Sequence, residues 1–344
     1  MDPADPGGIV ILLLLAACHQ AHTPPTAPHC QRAEQHLVAT EDGAAIHLHR
    51  HPAAGPPVLV LHGISANHRC WDLTADRSIA AALNDAGYDA WLLDLRGHGL
   101  AHVDTSGHEQ RSGWSMTDYA RYDLPAAIRF VQEQTGFEKL GFVGHSMGGM
   151  VLTTYNHIHG DDAFAAIVAV ASPVDFTSPD PLLTMAERAI APSIVLRRLP
   201  SPRLGKMVSG AHNLPLNADD LLWSDTNLSD AARELMLSTV ASPMSRQELI
   251  EVRQILRAGQ LPAVASLPEL TAPLLVIAGR ADRIAPPDRV RPLLEWAGSE
   301  EKAWLLAGRV NGLAHDYGHL DLVLGDAAAE EIYPAIVGWF EDRW

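Results

Sequence analysis

The chain has 344 residues, of which 47% are hydrophobic and 19% charged, and it carries a formal net charge of −16. That apolar content is ample for one large α/β domain or two smaller ones and excludes a disordered or coiled-coil protein. The acidic balance, with no stripe of clustered Lys and Arg, excludes nucleic acid and anionic lipid headgroups as partners recognised by charge.

Residues 9–15, IVILLLL, form an apolar run that continues into LAAC at Cys18. The run is too short to span a bilayer and has the length of a signal-peptide core. LAAC resembles a bacterial lipobox, in which cleavage leaves a lipidated cysteine as the new N-terminus. On that reading residues 1–18 are the signal, Cys18 is the lipidation site, and the protein is a membrane-anchored lipoprotein of the cell envelope. The leading MDPADPGG carries Asp2 and Asp5 and no Lys or Arg, so a non-working apolar terminus, or a soluble secreted or periplasmic product, stays open. In an oxidising compartment Cys30 and Cys70 either pair or remain free. Residues 19–35, rich in Pro, His, Ala and Thr, read as a disordered tether.

The folded part follows. Residues 37–40 and 46–50 flank the turn Glu41-Asp42-Gly43 and predict an edge hairpin. His47, His49 and His51 alternate along its second strand and share one face. They suit either a metal or a solvated edge, and without carboxylate or cysteine spacing no metal site is assigned. Residues 58–61 predict a buried strand, 71–87 an amphipathic helix closed by glycine, and 88–95 a second buried strand ending in DLRGHG. Residues 124–135 predict a helix with Pro125 in its first turn and Gly136 past its end. Further strands are expected at 140–143, 165–171, 274–278 and 303–306, with a final helix over 327–340. Buried runs alternating with amphipathic helices give an α/β class with a mostly parallel sheet covered by helices on both faces. Between 176 and 270 the alternation stops. Prolines and short helical patterns, one opened by the capping box Ser245 to Glu248, read as a helical cap inserted into a core of residues 36–175 and 271–344.

GHSMG, residues 144–148, lies between the strand at 140–143 and a helix starting near Met150, which is the setting of a nucleophile elbow. Gly144 and Gly148 let strand and helix pass closely, and Ser146 projects its Oγ from the turn. The N–H of Met147 is one expected oxyanion donor, and that of Ile64, in the loop after residues 58–61, is the second. A serine hydroxyl needs a base, and the base needs a carboxylate to fix its tautomer. The chain order in such folds is serine, acid, histidine. Asp282, after the strand at 274–278, and His319, after the strand at 303–306, satisfy it. Asp175 is the rival acid and His315 the rival histidine, while Asp321 reads as a surface or helix-start carboxylate. Asp94 and Arg96 read as an ion pair fixing their loop, and His62 and His145 as packing and hydrogen-bonding groups. The chemistry requires no metal or organic cofactor.

HGISANHRCW, AGYDAWLLDLRGHG, YARYDLPAAIRFV, TGFEKLGFVGHSMGG and YGHLDLVLG together resemble the α/β-hydrolase superfamily, in particular the acid-lipase-like branch that includes gastric and lysosomal lipases. The resemblance implies an α/β-hydrolase fold with a cap, a carboxylic-ester hydrolase with Ser146, Asp282 and His319 as its triad, and a small-molecule or lipid ester as substrate. Met147 stands where those lipases usually have Gln, and the divergent cap leaves acyl-chain preference open. Thioesterase, peptidase, acyltransferase and polyester depolymerase chemistry use the same triad, and a non-catalytic envelope lipoprotein serving as a binding module would keep the same fold.

Overall fold

The computed structural model describes residues 33–110, 113–178, 222–224, 227–341 and 343–344. The expected signal and lipobox with Cys18, Cys30, most of the tether and the first half of the inserted region lie outside the described residues.

Eight strands form one sheet: β1 Glu34–Ala39, β2 Ala45–His51, β3 Pro57–Leu61, β4 Asp89–Asp94, β5 Leu140–His145, β6 Phe164–Val170, β7 Leu274–Gly279 and β8 Lys302–Ala307. Their order across the sheet is β1-β2-β4-β3-β5-β6-β7-β8. The β1–β2 and β2–β4 pairs are antiparallel and every other pair is parallel. Every residue of β3, β4, β5 and β7 is buried, as expected for parallel strands covered on both faces. The covering helices include α1 Ile79–Asp85, α2 Leu124–Thr135 and α3 Met147–His159, followed by α4 Asp230–Thr239 and α5 Arg246–Ala258 in the insert. α6 Pro287–Trp296 and α7 Tyr333–Trp339 complete the set. α2 keeps the boundaries its sequence announces, with proline in the first turn and Gly136 left-handed at φ 77°. In α5 both halves of the Ser245–Glu248 capping box are made.

Several expectations differ from the structure. Residues 34 and 35 belong to β1 rather than to a tether. β2 is not an edge strand, because β4 pairs along its other side, so His47, His49 and His51 are buried instead of solvated. The segment 71–87 is helical only from Ile79. Asp72–Thr74 and Arg77–Ser78 first form a small hairpin, and the Ser78 hydroxyl then accepts the Ala81 N–H as N-cap. The final helix is broken at Ile332, just before Pro334 in the first turn of α7. Cys70 is buried with a free thiol. Among the described residues no helix is long and apolar enough to cross a membrane.

Candidate active site

β5 ends at His145, and α3 begins at Met147, which leaves one residue to make the corner. Ser146 turns it with φ 53° and ψ −115°, a sparsely populated conformation costing about 1–3 kcal/mol. Its N–H is held by the Val170 carbonyl of β6 at 2.8 Å. A Cβ on Gly144 would lie 2.8 Å from the Gly148 carbonyl carbon, and one on Gly148 2.9 Å from the Leu61 carbonyl oxygen, so both elbow glycines sit where backbones touch. Gly149, which the sequence did not single out, is tighter still: its Cβ would fall 2.1 Å from Ser172 Oγ.

The loops after β7 and β8 bring two more side chains to this corner. His319 Nε2 stands 2.9 Å from Ser146 Oγ, and His319 Nδ1 stands 2.7 Å from Asp282 Oδ2. The other oxygen of Asp282 accepts the N–H groups of Ile284 and Ala285 at 2.9 and 2.8 Å. The carboxylate is thereby oriented by its own loop, and its open oxygen faces the imidazole. With the proton on Nδ1 donated to Asp282, Nε2 is left to accept from the serine hydroxyl. All three residues are at least nine-tenths buried.

With that geometry in hand, the comparisons with known proteins decide the family. The profile of the family described as alpha/beta hydrolase fold matches residues 56–309. This chain belongs to the α/β-hydrolase family. It is similar to the gastric triacylglycerol lipase of Mus musculus, 26% identical over an alignment of 357 positions, gaps included, that covers 89% of this chain and 87% of the lipase. Over 210 residues it is 33% identical to the human lysosomal acid lipase/cholesteryl ester hydrolase, covering 57% of this chain and 50% of that one. Among solved structures, an esterase from Exiguobacterium antarcticum superposes with a TM-score of 0.62 at 19% identity, covering 89% of this chain and 99% of that one, a likeness of fold.

In this α/β hydrolase the loop after β3 presses against the elbow. A Cβ on Gly63 would lie 3.0 Å from His145 Nδ1 and 3.2 Å from Ser146 Cβ, so any side chain here would have to push loop and elbow apart by a few tenths of an ångström. His62 orients the Gly63–Ile64 peptide. The Leu95 N–H donates to its Nε2 at 3.3 Å, which leaves Nδ1–H to donate to the Gly63 carbonyl at 2.8 Å. In a trans peptide the Ile64 N–H points opposite to that pinned carbonyl. Burial keeps His62 neutral by lowering its pKa, and burial pushes the imidazole of His145 well below its usual range too. His145 Nε2–H donates to the His319 carbonyl at 3.1 Å. Met147 is the first residue of α3, where backbone N–H groups lack helical partners.

The insert between β6 and β7 of this α/β hydrolase is stitched to both sides of the corner. Leu222 accepts the Leu320 N–H at 2.8 Å, and Ser242 N–H donates to the Ser65 carbonyl at 2.9 Å. Asn67 Nδ2 donates to the Thr239 carbonyl at 3.0 Å. Asp321 is at a helix start but not at the surface. It is fully buried, and it accepts Asn227 Nδ2 at 3.1 Å and the Ser224 N–H at 3.3 Å. Asp175 instead accepts the Thr177 N–H and hydroxyl in a local turn, and it is Asp282 that meets His319. Likewise His319, not His315, contacts Ser146. Asp94 and Arg96 do not pair with each other. Arg96 bridges Asp123 and Asp42, with Nη2 2.6 Å from Asp123 Oδ1 and Nη1 2.5 Å from Asp42 Oδ2, whereas Asp94 faces His49 and His68.

Proposed function

We propose that this protein is a serine hydrolase that cleaves carboxylic esters through an acyl-enzyme, with Ser146 as nucleophile, His319 as general base and acid, and Asp282 as the group that orients and steadies the imidazole. The observation that carries the reading is the unbroken hydrogen-bonded line from Ser146 Oγ through His319 to Asp282, made by residues in the serine, acid, histidine order.

In the first half-reaction Oγ attacks the ester carbonyl carbon and its proton passes to His319 Nε2. The Met147 and Ile64 N–H groups receive the negative charge developing on the carbonyl oxygen. His319 then gives its proton to the departing alkoxide, and an alcohol leaves with Ser146 acylated. A water molecule deprotonated by His319 attacks the acyl carbon, and the proton returns to Oγ as the acid departs. The lipase names of the sequence relatives support acyl lipids or other hydrophobic esters as the substrate class. Localisation as an envelope lipoprotein held by Cys18 is likewise proposed, on the lipobox-like LAAC, and globomycin-sensitive processing with palmitate-analogue labelling tests it.

The decisive experiment uses p-nitrophenyl esters of graded chain length with the full protein and Ser146→Ala. Hydrolysis confined to the unsubstituted protein supports the reading, and the chain-length profile names the acyl preference. Equal hydrolysis by both proteins removes it.

A further inference from the structure

A second cluster of buried titratable side chains lies beside β2 and takes no part in the proposed ester chemistry. His49 Nε2 is 3.0 Å from Asp94 Oδ2, and His68 Nδ1 is 3.0 Å from both oxygens of the same carboxylate. The two imidazoles stack with ring centroids 3.5 Å apart. One ligand atom from each of the three residues falls within 4.8 Å of the other two, and all three residues are buried. They come from three separate pieces of chain: the middle of β2, the end of β4, and the short helical turn His68–Cys70.

We propose that His49, His68 and Asp94 form a binding site for a divalent transition-metal ion of the Zn²⁺ kind. Two imidazole nitrogens and one carboxylate oxygen are a borderline donor set that suits zinc, nickel or copper better than calcium or magnesium. Tetrahedral zinc with bonds near 2.1 Å sets its donors about 3.4 Å apart, so the 3.0 Å nitrogen–oxygen contacts must open by a few tenths of an ångström, and the two imidazole nitrogens, within 4.8 Å of each other, must settle at the same spacing. Binding requires each imidazole to face the ion with an unprotonated nitrogen, its N–H then sitting on the other ring nitrogen. Asp94 is also oriented by backbone groups, without the imidazoles: the His68 backbone N–H donates to Oδ1 at 2.7 Å and the Leu100 N–H to Oδ2 at 2.9 Å. Such outer hydrogen bonds fix a ligand before the ion arrives.

A third imidazole argues against a hydrogen-bonded His–Asp–His cluster as the full account. His47 stands opposite Asp94 in the β2–β4 register, with its ring 4.6 Å from that of His49. It is 8% exposed, and its buried Nδ1 has no hydrogen-bond partner. An unpaired buried nitrogen is costly, and the hydrogen bonds among the other three residues leave it unexplained. Beside a metal it supplies a fourth donor or orients a bound water. The 10% exposed edge of the His68 side chain gives the ion its way in.

The test is direct metal binding by the intact chain. Protein stripped with chelator is titrated with Co²⁺ and, separately, given Zn²⁺ and passed through gel filtration before metal analysis. The expected result is one retained Zn²⁺ per chain, a four- or five-coordinate Co²⁺ spectrum and a rise in thermal midpoint. His68→Gln should weaken apparent affinity at least about tenfold, while His108→Gln, at a site whose side chain is 83% exposed, should change nothing. With 18 histidines in the chain, binding elsewhere is the main rival. Retention by folded His68→Gln equal to that of the unsubstituted protein, a purely octahedral Co²⁺ spectrum, or no retained metal overturns the proposal. Should His68→Gln not fold, the cobalt spectrum of the unsubstituted protein decides alone.

Discussion

His145 Nε2–H donates to the backbone carbonyl of His319 at 3.1 Å, so the residue just before the proposed nucleophile holds the chain that carries the proposed base. The bond links the tip of β5 to a loop 174 residues away. Replacing the ring by Phe keeps its bulk and leaves the His319 carbonyl unpartnered, which should cost about 1–3 kcal/mol. His145→Phe is therefore expected to lower both the thermal midpoint and kcat, with KM little changed, and His145→Gln, which restores an N–H donor, should recover part of kcat. Steady-state kinetics on a short-chain p-nitrophenyl ester, beside thermal denaturation, measures this.

Loss of the hydroxyl at Ser146 should abolish ester turnover rather than diminish it, because the other members of a triad act only through the nucleophile. In Ser146→Ala, kcat should fall by about 10⁴-fold or more while the far-UV circular dichroism stays unchanged. A fluorophosphonate probe should label the unsubstituted protein and not this variant.

Asp282→Asn keeps the shape of the side chain but reverses the hydrogen-bonding demand at His319 Nδ1. The imidazole then adopts the wrong tautomer, and kcat should fall by about 10⁴-fold. A fall of less than tenfold would assign the orienting role to a different group.

Gly149 is close-packed against Ser172, so Gly149→Ala should destabilise the fold by about 1–3 kcal/mol through overpacking. Ser172→Gly in the same chain removes both the hydroxyl and the Cβ that a methyl would meet, and should recover most of the loss. Chemical denaturation of the single and double variants tests the pair.

Glu248 closes the capping box of α5 by accepting the Ser245 N–H at 3.1 Å, yet it is fully buried. Burial raises its pKa from 4.5 to about 8. A carboxyl whose folded pKa is raised binds its proton more tightly in the folded state. Its stabilising effect is complete below pH 4.5 and drains away as pH rises to about 8. Asp123, raised by burial to about 6 in spite of Arg96, acts in the same direction. Glu248→Gln should therefore flatten the fall of thermal midpoint between pH 5 and 8 without removing it. An unchanged slope would show that Glu248 does not hold its proton in the folded protein.

The sequence alone was enough for whatever depends on near neighbours. Apolar runs located the strands, Pro125 and Gly136 bounded α2, Ser245 and Glu248 opened α5, and GHSMG between strand and helix marked the corner. It misled where a local pattern had more than one outcome. Residues 71–87 have helical periodicity, but Ser78 starts the helix about two turns later, and the alternating histidines of β2 suit either a metal or a solvated edge because nothing local reveals a neighbouring strand. Tertiary structure alone decided which groups meet. Ser146 and His319 are 173 residues apart, Asp94 finds His49 and His68 rather than Arg96, and Gly149 abuts Ser172. Those encounters are set by the crossing order and register of the sheet, which no short stretch of chain encodes.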